Sequence, residues 1–220
     1  MNKDIEKTTE FVKEQFKADT TGHDWWHTER VWKTAKAIAK KESGNIFVIE
    51  MAALLHDIDD YKFSSVEEEA EKSKARKWLI KLDLDEDLTE KIISAVKTVS
   101  FKGEQNATAP ETLEAKIVQD ADRLDALGAI GIARTFAFGG VANRCLYDPE
   151  IKPIKYTSFE QYKQKDKTTT INHFYEKLLL IKDKLNTKTA RNIAAKRHQF
   201  LLDFLDEFYC EWESKDLDEN

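Results

Sequence analysis

From Asn45 to Asp57 the chain reads NIFVIEMAALLHD, a run that is apolar on nearly every side. A helix built from it has no polar face to offer water, so other elements must enclose it. Asn45 has the side chain that a helix N-cap calls for, and His56 and Asp57 fall at the far end. The chain is therefore constrained to assemble a domain around a central helix that ends in two chemistry-bearing side chains.

Helices to enclose it are written on both sides. Ile5, Phe11, Val12 and Phe16 space a first amphipathic helix, which the polar run Asp19-Thr20-Thr21-Gly22 ends. Asp24 can cap a second, closed by Ser43-Gly44, in which His27, Val31, Ala35 and Ile38 step by four, four and three and form a core-facing stripe. Ser65 and Glu68 have capping-box spacing, and Ala75, Trp78 and Leu82 extend that helix to about Leu82. A further helix is expected from about Asp87 to Val99.

After the loop SFKGEQNATAPE, Leu113, Ile117, Ala121 and Leu124 define another buried helix, with Asp122 and Asp125 on an adjacent face. Gly128 and Gly131 allow close helix contact. The stretch from Gly139-Gly140 to Pro153 reads as irregular and as a candidate lid. Phe174, Leu178, Ile181 and Leu185 mark a penultimate helix, and Ala194, His198, Leu201, Leu205, Phe208 and Trp212 a long final one.

Composition agrees with an all-α fold, since seven Gly and three Pro in 220 residues are few for the frequent turns of an all-β chain. A single domain over 1–220 is expected, with a helical core at about 20–130 and a C-terminal helical part at about 155–212. The net charge of −6 argues against nonspecific binding to nucleic-acid polymers or anionic membranes. The two cysteines, Cys145 and Cys210, form no C-x-x-C motif, and the charged N-terminal stretch has no apolar signal core, so a cytoplasmic location is expected.

His27 lies on the core stripe, His56 and Asp57 end the buried helix, and Asp122 lies inside VQDADRLDALGAIGIA. Burying a lone carboxylate costs several kcal/mol or more. One divalent cation shared by His27, His56, Asp57 and Asp122 neutralises the charge and uses the imidazole nitrogens. Two imidazoles and two carboxylates suit Mn²⁺, Fe²⁺, Co²⁺, Ni²⁺, Zn²⁺ or Mg²⁺, and leave positions open for water and substrate. Hydrolysis of a phosphate ester or anhydride is the natural use of such a centre.

The order His27, then His56-Asp57, then Asp122 resembles the H…HD…D pattern of the HD-domain phosphohydrolase superfamily. The stretches GHDWWHTERVWKTA, AALLHDIDDYKF, VQDADRLDALGAIGIART and INHFYEKLL are similar to a bacterial single-domain group of about this length. The resemblance implies a compact multi-helix HD-domain fold with a C-terminal helical extension, these four metal ligands, and phosphorylated substrates that are often nucleotides. No histidine occurs from Ile58 to Gln119, which favours one metal over two and weakens a cyclic-dinucleotide phosphodiesterase or a di-iron oxygenase.

The expected reaction converts a nucleoside or deoxynucleoside triphosphate to monophosphate and pyrophosphate, with Asp57, Asp60 and Asp122 as catalytic carboxylates. Arg30, Lys102, His173 and Lys177 are the candidate phosphate contacts, His173 and Lys177 as an i, i+4 pair on one helix face. Lys62, Arg123 and Lys155 are further cations near the expected site. Asp59 is a second candidate for moving a proton, and Asp125 for orienting a ligand. Asp24 reads as a cap with His23 just outside the helix, His198 as a core histidine, and the tryptophans as core. A homodimer through apolar helix faces stays open. The alternatives are a nucleotide-binding module that turns nothing over and, with less support, a metal-dependent oxygenase on the same fold.

Overall fold

The computed structural model describes residues 2–17, 24–59, 73–99, 109–154 and 168–217, and every regular element among them is a helix. In order these are α1 (Lys3–Gln15), α2 (Trp25–Glu42), α3 (Ile46–Leu55), α4 (Lys74–Lys81), α5 (Glu86–Val99), α6 (Leu113–Asp125), α7 (Gly128–Val141), α8 (Asn172–Glu176), a 3₁₀ helix (Leu178–Lys184), α9 (Lys188–Trp212) and a short 3₁₀ turn (Lys215–Leu217). The all-α expectation holds. No single helix among the described residues is long and apolar enough to cross a bilayer.

The described residues fall into two compact units. One contains α1 to α5 and α6 as far as Arg123; the other runs from Leu124 through α9. In the first unit α3 packs against α1, α2 and α5. Its side chains Val48, Ile49, Met51, Ala52, Ala53, Leu54 and Leu55 are all buried, as a helix without a polar face requires. Asn45 Oδ1 accepts from the Phe47 and Val48 amides and starts the helix. On α2 the stripe His27, Val31, Ala35 and Ile38 is fully buried, and Asp24 Oδ1 accepts from the His27 amide at 2.8 Å. Phe11 stacks on Trp78 at 4.0 Å, and Trp78 Nε1 donates to Thr8 Oγ1 at 2.9 Å, which ties α1 to α4. Trp26 is 61% exposed and Trp212 47%, so these two tryptophans are surface residues rather than core.

The helix expected to run on to Leu82 begins afresh at Ser73, while Ser65 and Glu68 lie outside the described residues. Ser73 Oγ accepts from the Arg76 amide. The Asp59 carboxylate accepts from Ser73 Oγ (2.7 Å), the Lys74 amide (2.6 Å) and the Ala75 amide (3.1 Å). Three of the orphan donors at the start of α4 thus have partners, and two of those bonds come from fourteen or more residues upstream.

In the second unit α7 packs on α9. Gly128 has φ +71°, and a Cβ there would meet Arg197 Cγ and Cβ at 3.2 and 3.3 Å, so glycine lets α9 come close. Arg197 Nη1 in turn donates to the Leu124 carbonyl at 2.5 Å and caps the end of α6. Gly139 and Gly140, expected in a loop, belong to α7; Gly139 lies against the Thr170 side chain, where a Cβ would collide.

The non-helical stretch after α7 is bonded along its length. Thr170 N donates to Cys145 O, Ile171 N to Leu146 O, Asn172 Nδ2 to Ile151 O, and Ile154 N to Glu176 Oε1, all between 2.9 and 3.1 Å. These bonds fasten the candidate lid to residues 170–176 rather than leaving it on a hinge. The penultimate helix is interrupted at Lys177 (φ −142°, ψ −57°), after which the chain continues as the 3₁₀ helix.

Candidate metal centre

His27 and His56 bring their Nε2 atoms to 3.3 Å with the rings set edge to face. Asp57 Oδ2 lies 3.4 Å from His27 Nε2 and 3.3 Å from His56 Nε2. Asp122 Oδ1 lies 3.3 Å from His27 Nε2 and 3.9 Å from His56 Nε2. All four belong to the first unit.

Each donor is delivered by a local reason. His27 is in the first turn of α2, on the buried stripe. His56 is the C-cap of α3, and its Nδ1 bonds the Ala53 carbonyl at 2.8 Å. With that nitrogen donating, Nε2 carries the lone pair and points it at the other donors. Asp57 lies one residue further, in the turn after α3, and Asp122 lies in the last turn of α6.

The spacing fits a cation. Bonds of about 2.1 Å put adjacent donors about 3.0 Å apart on an octahedron, about 3.4 Å on a tetrahedron, and opposite octahedral donors about 4.2 Å apart. The three pairs among His27, His56 and Asp57, at 3.3 to 3.4 Å, lie within that span, as do the 3.3 and 3.9 Å from Asp122 to the two imidazoles. His27, His56 and Asp57 form a donor group able to hold a metal ion. The imidazoles are buried, at 0% and 1% side-chain exposure, whereas Asp57 and Asp122 are 20% and 31% exposed. The centre is therefore floored by nitrogen and opens to solvent past the carboxylates.

The electrostatics couple the four. Burial works against protonating His56, but the Asp57 carboxylate, which also bonds it, and Asp122 outweigh burial and raise its pKa above 6.5. Burial alone would raise the Asp122 carboxyl; its bond to His27 and the positive charge of the two imidazoles hold it below its ordinary value. The neighbouring Arg123 is lowered by burial, against the charges of Asp120 and Asp122.

Of the other candidates, Arg30 is half-buried one turn after His27 on α2. His173 lies on α8, and Lys177 is the C-cap of that helix, its amide donating to the His173 carbonyl at 3.0 Å. Asp125 pairs with Arg134 at 2.8 Å in the second unit. His198 is half-buried on α9 rather than fully in the core. Asp60, Lys102, His23, Lys62 and Lys155 lie outside the described residues. Two supporting contacts escape sequence reading: the Ala53 carbonyl, which has no residue signature, and Asp59, whose partners are remote in sequence. A serine at 73 just before an apolar-periodic stretch is the one local signal of the α4 start, and it says nothing of Asp59.

Fold and donors together define an all-helical protein with a candidate cation centre at the end of its most buried helix. The HD-domain family model matches residues 25–127, a span that includes all four donors. The YpgQ protein of Bacillus subtilis is 35% identical over 204 residues, 92% of this chain and 91% of its own. The chain belongs to the HD-domain phosphohydrolase family. A Lactobacillus plantarum protein of known structure is 33% identical with a TM-score of 0.85, over 97% of this chain and 98% of its own. An HD-superfamily hydrolase from Bacillus thuringiensis is 44% identical with a TM-score of 0.74, over 95% and 96%. The structure of YpgQ in complex with ADP gives a TM-score of 0.71 over 94% of this chain and 97% of its own.

Proposed function

We propose that this chain is a divalent-metal-dependent phosphohydrolase acting on nucleotides, and that a nucleoside or deoxynucleoside triphosphate is cleaved to monophosphate and pyrophosphate. The observation that carries the reading is the donor group of His27, His56 and Asp57, 3.3 to 3.4 Å apart, with Asp122 at 3.3 and 3.9 Å from the two imidazoles, nitrogen below and carboxylate toward solvent. The ADP complex of the YpgQ relative supports a nucleotide as the ligand class. The acidic balance and the two free cysteines support a small diffusible substrate in a reducing cytoplasm.

His27, His56, Asp57 and Asp122 would hold one ion, with Mn²⁺, Mg²⁺, Co²⁺, Ni²⁺, Fe²⁺ and Zn²⁺ the candidates. When bound, such an ion supplies Lewis acidity toward a phosphoryl oxygen and makes water acidic enough to attack near neutral pH. The Ala53 carbonyl keeps the His56 proton on Nδ1, so Nε2 serves as donor. Asp122 would accept a hydrogen bond from the attacking water and orient it, with Asp57 beside it. The Arg30 guanidinium has the geometry to grip a phosphate through two nitrogens. His173 and Lys177 as phosphate contacts rest on the similar INHFYEKLL stretch, Lys102 on its place near the expected site, and Asp60 as proton acceptor on its place just after His56-Asp57.

Chromatographic product analysis tests this on a panel of nucleoside mono-, di- and triphosphates with Mn²⁺, Mg²⁺, Co²⁺ or Ni²⁺, comparing wild type with Asp122→Ala. Turnover by wild type that the variant lacks supports the reading, and the products identify the bond cleaved. Nucleotide affinity without product under any metal would replace it with a binding module.

A further inference from the structure

Among the four donors Asp57 has the least regular support from its own backbone. His27 and Asp122 stand inside helices, and His56 is a C-cap whose ring is bonded to Ala53. Asp57 lies beyond the end of α3, in a turn that the Ile58 amide closes by donating to Leu55 O at 3.2 Å. The buried Ile58 side chain anchors that turn on the core side. Its outer end is Asp59, two residues past Asp57, and the Asp59 carboxylate holds the first turn of α4 through Ser73 Oγ, Lys74 N and Ala75 N. A carboxylate there is also favoured by the positive end of the α4 dipole. Helix α4 packs on α5, and α5 on α3, so the bonds close a ring of packed elements back to the helix that delivers His56.

We infer that Asp59 is a positioning residue for the metal centre: by clamping the turn after α3 to the start of α4, it fixes the backbone that aims Asp57 at His27 and His56. This rests on the metal reading above and adds to it a residue that holds no ion itself. A donor that must sit within a few tenths of an ångström of its place loses coordination when its backbone swings. Removing outer partners of metal ligands typically weakens affinity about tenfold to a hundredfold.

The test is calorimetric titration of Mn²⁺ into metal-free wild type, Asp59→Ala, Asp59→Asn and Ser73→Ala, with thermal melting of each protein. Asp59→Ala is expected to bind Mn²⁺ about ten- to a hundredfold more weakly. Asp59→Asn, which keeps one acceptor oxygen, falls between, and Ser73→Ala, which removes one of the three bonds, shows the smallest loss. A lower melting temperature with unchanged Mn²⁺ affinity in Asp59→Ala makes the residue a mere helix cap and overturns the inference. Should Asp59→Ala not fold, wild-type affinity in Asp59→Asn overturns it equally. Wild type that takes up no Mn²⁺ overturns the metal reading and this one with it, whereas uptake by wild type and unmoved variants overturns this one alone.

Discussion

The Nδ1 of His56 donates to the carbonyl oxygen of Ala53 at 2.8 Å, three residues back along the same helix. That bond does two things: it satisfies a carbonyl at the end of α3, where intrahelical partners run out, and it fixes which imidazole nitrogen faces the other donors. The end of the most buried helix and the orientation of a proposed ligand are thus set by one contact.

Metal should stabilise the fold, because a ligand that binds only the native state shifts the unfolding equilibrium. At a free Mn²⁺ concentration of one hundred times Kd the gain is about 2.7 kcal/mol. In a chain of this size that corresponds to a melting-temperature rise of roughly 5 to 10 °C. Differential scanning fluorimetry should show the rise in wild type, its reversal by a chelator, and its absence in His56→Ala.

Asp125 should matter for stability and not for the metal. Its carboxylate is 6% exposed and pairs with Arg134, itself 25% exposed, and its charge also opposes the effect of burial on Arg197. Asp125→Ala removes the pair with Arg134, which costs about 1 to 3 kcal/mol after allowing for solvent at Arg134. Urea denaturation should report that loss while calorimetric Mn²⁺ affinity stays at the wild-type value.

His198 gives the fold a pH dependence of defined sign. Burial, with help from Lys182 and against Asp183, lowers its pKa below 6.5 in the native state. Its Nδ1 is buried and has no hydrogen-bond partner among the described residues. The unfolded chain therefore takes up the proton first as pH falls, so the contribution is fully present above about 6.5 and is lost as pH drops through the depressed native value. Stability curves measured from pH 7 downward should fall less steeply for His198→Gln than for wild type.

Gly128→Ala should destabilise by about 1 to 3 kcal/mol, since it places a side chain at positive φ and presses on the Arg197 stem. The midpoint of urea unfolding measures this, and an unchanged midpoint would show that α9 can move aside.

Sequence patterns carried the site's donors because each is tied to local periodicity. His27 belongs to a 3.6-residue stripe, and His56 and Asp57 follow a helix whose lack of a polar face could mean only burial. The cap at Ser73 has no local signature strong enough to read, because the Asp59 carboxylate that holds Ser73 lies in another segment, and the Ser65 capping box falls outside the described residues. Leu178 and Ile181 are buried three residues apart, a spacing that a 3₁₀ helix satisfies as well as an α-helix, so the break at Lys177 left no trace. Gly139 looked like a turn residue, but its small size answers to Thr170, thirty-one positions on.

If the four side chains hold one ion as proposed, their difference in exposure would order them in time as well as in space. A dication entering from solvent would come first to the exposed carboxylates of Asp57 and Asp122, and the buried imidazoles of His27 and His56 would hold it from the core side. Capture would then be governed by charge and slow with ionic strength, whereas retention would follow the preference of imidazole for the later first-row ions. Mn²⁺, which sheds inner water more readily than Mg²⁺ and accepts imidazole more readily, would be favoured at both stages.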